Sequence, residues 1–197
     1  MVEFIVRSRA APVYPDAFRA AIGQGQGVEY LADIIKAGLL VSQGHRADTT
    51  IHLVLEKSSD FSRVVTLKGG ELGSFTGLQE SNLLDAIADA LARAVKLGKD
   101  QSVVDKRGLM VGTTSFEHLV KLKAETQETF VLSPDGADVR TLNFPEDAVF
   151  ILTDHIPMPK KTFKSMARQG VSSISVGPIM LHAAQCITVL LNELDRR

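Results

Sequence analysis

A chain of 197 residues with 45% apolar and 23% charged residues can bury one substantial core, which argues against a fibrous or disordered protein and predicts a single domain over residues 1–197. The formal net charge of −1 argues against a protein that coats nucleic acid by charge alone, because that affinity comes from neutralised phosphates. One cysteine, Cys186, excludes an intrachain disulfide and offers no zinc-type cluster, so a reducing compartment and no metal are expected. No apolar run approaches the roughly 20 residues that span a bilayer, and Met1-Val2-Glu3-Phe4 lacks the basic region of a signal peptide. A cytoplasmic chain with no membrane partner is the expectation.

Val2 to Arg7 alternates like a strand, and Arg9 to Gly27, with Pro12, Pro15 and three glycines, reads as a long loop or partly ordered arm. Val28, Leu31, Ile35 and Leu39 mark one face of a helix that stops near Ser42-Gln43-Gly44. Ile51 to Leu55 and Arg63 to Leu67 are β-rich, and the polar Lys57-Ser58-Ser59-Asp60 between them predicts a hairpin. A helix follows with Ser81 as N-cap, an apolar stripe of Leu84, Ile87, Leu91 and Val95, and Lys96, Gly98 and Lys99 at its end. Thr129 to Leu132, Ala148 to Leu152 and Val171 to Val176 are short apolar runs. The first two do not alternate, as in strands buried on both faces of a mainly parallel sheet. Ser133-Pro134-Asp135-Gly136 has turn chemistry. Phe163, Met166 and Ala167 give one helix before Gly170, and Leu181 to Leu194 gives the last. Strand, helix, strand, helix predicts an open α/β layout, in which ligands settle beyond the carboxyl ends of the strands, here the loops starting at Ser133, Thr153 and Gly177.

Candidate chemistry divides between site and scaffold. Gly23-x-Gly25-x-Gly27 lacks the preceding strand of a dinucleotide fingerprint and reads as a flexible loop. His182 and Cys186 share a helix face, where packing is the commoner role and a thiolate pair the alternative. Asp154-His155 follows an apolar strand directly and is either a site or a structural cap. Arg46-Ala47-Asp48 precedes the Ile51 strand with both charges on one side, either as a surface ion pair or as part of a site. Lys160, Lys161, Lys164 and Arg168 recur at helical spacing, as a solvated face or a basic patch. Gly177-Pro178 stiffens a turn whose amides are free to bind an adenine edge or a carboxylate.

Phe130-Val131-Leu132, Val149-Phe150-Ile151-Leu152-Thr153-Asp154-His155, Ile174-Ser175-Val176-Gly177-Pro178, and Leu181-His182-Ala183 with Cys186-Ile187-Thr188 together resemble the TrmY family. Those proteins are SPOUT enzymes that methylate N1 of pseudouridine in tRNA. Gly70-Glu71-Leu72 and Arg46-x-Asp48 extend the resemblance upstream more loosely. It implies an α/β fold of SPOUT type, with a mainly parallel sheet, helices on both faces and a C-terminal trefoil knot. It also implies S-adenosyl-L-methionine (SAM) as cofactor, an RNA substrate that is tRNA in the family, and a homodimer built in part by the final helices. Carried over by position, Leu132, Thr153, Val176, Gly177, Pro178, Ile179, Met180 and Leu181 would line the cofactor pocket, with Cys186 adding a contact from the last helix. Arg46 and Asp48 would be the catalytic pair, reaching the target base from across the dimer. Thr153 departs from the glycine common in relatives, and Met110-Val111-Gly112-Thr113 stands where an archaeal relative is arginine-rich. A noncatalytic SAM- or RNA-binding protein of the same fold, or a methyltransferase with another substrate, is the alternative.

Overall fold

The computed structural model describes residues 1–25, 27–42, 44–73, 75 and 77–197. Its elements in chain order are β1 (Val2–Pro12), α1 (Pro15–Ala21), α2 (Glu29–Leu39), β2 (Leu40–Val41), β3 (Gly44–His45), β4 (Thr49–Lys57), β5 (Arg63–Lys68), α3 (Glu80–Arg93), β6 (Ser102–Val104), β7 (Met110–Gly112), α4 (Phe116–Ala124), β8 (Thr129–Asp138), β9 (Val149–Thr153), α5 (Lys160–Arg168), β10 (Ser172–Ser175) and α6 (Ala183–Leu194).

Among the described residues, eight strands form one sheet in the order β10-β8-β9-β1-β4-β5-β7-β6. The five from β10 to β4 are mutually parallel, and β5, β7 and β6 continue the sheet antiparallel. The β4–β5 hairpin has the strands and connection that the apolar runs predict, with Leu53 opposite Val65. Alternation along β1 and β4 feeds two cores. Phe4 and Val6 of β1 and Ile51, Leu53 and Leu55 of β4 pack under α1, α2, α3 and α6. Ile5 and Val54 face the other way, against Phe116 and Val120 of α4 and Met166 of α5. Helices therefore cover both faces, which is why the central strands carry few polar side chains.

Phe4, Phe130, Phe144 and Phe150 form a continuous aromatic cluster with ring centroids 4.9 to 5.7 Å apart. Each such contact adds about 0.5–1.5 kcal/mol beyond burial and fixes β8 and β9 beside β1.

Several elements differ from the sequence expectation. The Arg9–Gly27 arm is ordered through most of its described residues: β1 runs on to Pro12, pairing across a register shift with Lys57, and Pro15 starts α1, whose Phe18 is buried. Proline at a strand end needs no ladder N–H, and at the first helical position its fixed φ suits the turn. α2 stops at Leu39, ahead of the predicted Ser42-Gln43-Gly44, of which Gln43 lies outside the described residues. α3 starts at Glu80 behind Gln79, so Ser81 is inside the helix, and Val95 lies past its end at 48% exposure. Ala167 faces solvent, and Thr162 takes its place in the buried stripe of α5. Ser133-Pro134-Asp135-Gly136 is a bulge inside β8 instead of a turn that ends it: Ser173 pairs with Val131, and Ile174 then pairs with Ala137. Gly136 permits this, since a Cβ there would sit 2.5 Å from the Ile174 nitrogen.

Candidate active site

β10, β8 and β9 are adjacent and parallel, so the chain leaves all three at the same end of the sheet. Val131 lies opposite both Ile151 and Ser173. Leu132 is therefore where β8 stops pairing with β9 and enters its bulge, beside the Thr153 end of β9, and Val176 to Leu181 leaves the adjoining β10. Leu132, Val176 and Leu181 are half-buried against the core under α6. Gly177 holds φ at +143°, and its amide donates to Ser175 Oγ at 3.3 Å. Ile179 and Met180 stand 69% and 80% exposed, large apolar side chains with nothing over them. Half-buried aliphatic side chains beside an apolar loop offer the surfaces that the faces of an adenine suit. The cavities of about 200 and 340 Å³ lie elsewhere, the first between α4 and α5 and the second beside the β4–β5 turn.

Thr153 uses its hydroxyl locally, donating to the carbonyls of Ile156 at 3.2 Å and Arg7 at 3.4 Å. The extra side chain relative to glycine is thus folded into its own turn. Asp154, open between site and cap in sequence, caps backbone: its carboxylate accepts from Ile156 N at 3.0 Å and Ala10 N at 3.2 Å. His155 stands edge-on to Tyr30. Cys186 is buried with its thiol donating to the Leu181 carbonyl at 3.8 Å, and burial pushes the thiol pKa up, which favours the packing role over a thiolate.

Arg46 and Asp48 lie at the opposite end of the sheet. Val2 pairs with Thr49 and Arg7 with Thr153, so the segment before β4 is at the amino ends of the parallel strands. The length of β9 separates it from the loops above by roughly 15 Å. Asp48 is exposed, and the arginine pKa is raised chiefly by a hydrogen bond from Arg46 to Asp195 and further by the charge of Asp48. Gly69 packs on the Arg46 carbonyl and Gly70 on that of Ala47, so the Gly-Glu-Leu and Arg-x-Asp elements are in contact. Arg46 is bound side-on by Asp195, just past the end of α6. Sequence reading missed Asp195: the two residues are 149 positions apart, and neither spacing nor composition links them. α6 is about 18 Å long and connects the upper loops, through Cys186 in its first turn, to Arg46 at its far end.

Among the described residues, no helix is long and apolar enough to cross a membrane.

Full-length relatives are similar to this chain. One from Shewanella frigidimarina, named "Putative pseudouridine methyltransferase", is 43% identical over 197 residues, covering 100% of both chains. One of the same name from Vibrio vulnificus is 42% identical over 195 residues, covering 99% of this chain and 98% of its own. The crystal structure of Archaeoglobus fulgidus Nep1 bound to S-adenosylhomocysteine superposes with a TM-score of 0.62 at 10% identity, over 99% of this chain and 97% of that one, and so shares the α/β fold. A family model described as "Putative SAM-dependent RNA methyltransferase" matches residues 1–197, and the chain belongs to that family.

Proposed function

We propose that this chain transfers a methyl group from SAM to N1 of pseudouridine in RNA, with tRNA as the substrate class, and that it works in the cytoplasm as a homodimer of single-domain subunits with a C-terminal trefoil knot. The observation that carries the reading is the adjacency of the parallel strands β9, β8 and β10, which brings the Thr153 end of β9, Leu132 at the bulge of β8 and the Val176–Leu181 loop to one end of the sheet. Family membership and the names of the full-length relatives support the reaction. Leu132, Thr153, Val176, Gly177, Pro178, Ile179, Met180 and Leu181 would hold the cofactor, with Cys186 packing beneath.

Bound there, SAM supplies an electrophilic methyl carbon on a sulfonium, a good leaving group. The remaining work falls to the protein. N1 of pseudouridine carries a proton, and Asp48 accepts it as the N1–carbon bond forms. Arg46 stabilises the charge that grows on the base carbonyls. Alignment of nucleophile, methyl and sulfur supplies much of the acceleration. Arg46 and Asp48 stand roughly 15 Å from the cofactor loops of their own subunit. In a homodimer, a second copy that brings its Arg46-x-Asp48 to those loops would close the gap.

The test is incubation with SAM and a pseudouridine-containing T-loop stem, followed by mass spectrometry of the nucleosides. N1-methylpseudouridine is expected. No methylated nucleoside, in protein that binds S-adenosylhomocysteine, would overturn the reaction while leaving the cofactor site standing.

A further inference from the structure

We propose that the outward face of α5 is the track on which the RNA phosphate backbone lies, because four cations share one arc of this helix immediately after the β9 loop of the cofactor site. The inference rests on the RNA substrate of the proposed function and adds where the RNA is held.

At about 100° per residue, Lys160, Lys161, Lys164 and Arg168 fall within an arc of about 100°. Thr162 and Met166, which are buried, and Phe163, which packs on the sheet, fall on the other side. All four cations are exposed, and among the described residues none makes a salt bridge. The contrast with α4 on the same face of the sheet is direct: there Lys121 pairs with Glu125 and Lys123 with Glu3. α5 has no acidic residue in its first turn, and Lys160 and Lys161 occupy it instead. That end of a helix carries the positive pole of the macrodipole, so cations there lower helix stability, and an anionic partner removes the conflict. In a chain of net charge −1, this local excess is not a consequence of general basicity.

Placement supports the same partner. Six residues separate Thr153 from Lys160, and Arg9 anchors this connection by donating from Nη1 to the Pro157 carbonyl at 3.3 Å. The arc from Lys160 to Arg168 is about 12 Å long, enough to meet several consecutive phosphates of one strand. Phosphate contacts of this kind set register and orientation while leaving base identity to other groups. A strand lying along α5 would deliver its target nucleotide over the edge of the sheet toward the Val176–Leu181 loop.

The test compares wild type with a Lys160→Gln, Lys161→Gln, Lys164→Gln, Arg168→Gln variant and with a control of equal charge change, Arg93→Gln, Lys96→Gln, Lys99→Gln, Lys106→Gln. Affinity for a T-loop stem is measured across a salt series, beside S-adenosylhomocysteine affinity and circular dichroism as checks on folding. The α5 variant should lose about tenfold or more in RNA affinity, and its log K against log salt plot should flatten by up to about 3 in slope. The single Lys164→Glu variant should show a smaller loss in the same direction. Cofactor affinity should stay at the wild-type value. Equal losses in the α5 and control variants would show a diffuse field and overturn the proposal, as would unchanged RNA affinity in the α5 variant. Binding is read apart from turnover, so RNA held through α5 without methylation would leave this inference standing and remove only the proposed reaction.

Discussion

Arg46 and Asp195, 149 residues apart in the chain, are clasped side-on, with Nη1 2.8 Å from Oδ1 and Nη2 on Oδ2. Hydrogen bonding to Arg46 holds the Asp195 carboxyl below its ordinary range, and the same contact raises the arginine. A carboxylate at the carboxyl end of α6 is unfavourable to the helix dipole, and the last turn has no basic residue to offset it. Arg46 provides that offset and is fixed in return. If Arg46 faces the target base, Asp195→Asn should lower kcat/KM for RNA by about tenfold, the scale of one charge-assisted contact. Stability should change by less than about 1 kcal/mol, because the Asp195 side chain is 48% exposed. Steady-state kinetics beside thermal melting reads both, and an unaltered kcat/KM would leave the pair as a helix-end tether only.

Asp48→Asn keeps shape and removes the proton acceptor. Methyl transfer should fall by about 10²–10⁴-fold, with S-adenosylhomocysteine affinity retained. Transfer at the wild-type rate in single-turnover assays would dismiss Asp48 as the base.

Two glycines should fail for different reasons. At Gly136 an added Cβ would meet the Ile174 backbone, so Gly136→Ala should force β8 from β10 and cost about 1–3 kcal/mol or more, seen as a lower Tm. At Gly177 a Cβ has open space, but φ is +143°. Gly177→Ala should therefore reshape the loop and weaken S-adenosylhomocysteine binding with a small change in Tm. Titration calorimetry with normal affinity for the Gly177 variant would count against the loop as the cofactor site.

Glu3 and His52 give the fold a sensitivity to acid. His52 Nε2 donates to Glu3 Oε2 at 2.7 Å, the Thr66 hydroxyl donates to His52 Nδ1 at 2.9 Å, and Lys123 and Gln127 donate to the same carboxylate at 2.7 and 3.0 Å. Burial pushes the Glu3 carboxyl up, but these hydrogen bonds outweigh it and hold the group at about 2, against an ordinary 4.5. Its contribution is present above pH 4.5 and is lost as pH falls toward 2, on the order of 3 kcal/mol in full. Burial depresses His52 below its ordinary 6.5 despite Glu3, so the unfolded chain takes up that proton first and stability also declines as pH falls below 6.5. Glu3→Gln should lower stability at pH 7 and flatten the loss between pH 4.5 and 2. Denaturant unfolding at a series of pH values measures both, and a Glu3→Gln curve parallel to wild type would refute the assignment.

The runs Thr129 to Leu132 and Ala148 to Leu152 could be read as buried parallel strands because continuous apolar sequence is what a strand covered on both faces requires. The α2 and α6 stripes were legible for the same reason, as solvent-averse residues at helical period. Less legible were features set by contacts distant in sequence. The bulge at Ser133–Gly136 carries local turn chemistry, but the neighbouring Ile174 turns it into strand. The sequence leaves Asp154 equally suited to catalysis and capping, and only the donors from Ala10 and Ile156, one remote in the chain and one local, decide for the cap.

Sequence alone determined the α/β class, the hairpin, the segments whose ends hold the candidate cofactor residues, and the cation spacing on α5, since these follow from local periodicity and from residue chemistry. Tertiary structure alone decided that Leu132, Thr153 and Val176 share one edge while Arg46 and Asp48 stand at the other, and that Asp195 holds Arg46. Those relations depend on strand order and on how α6 lies across the sheet, which arise from packing between segments remote in the chain and leave no local pattern to read.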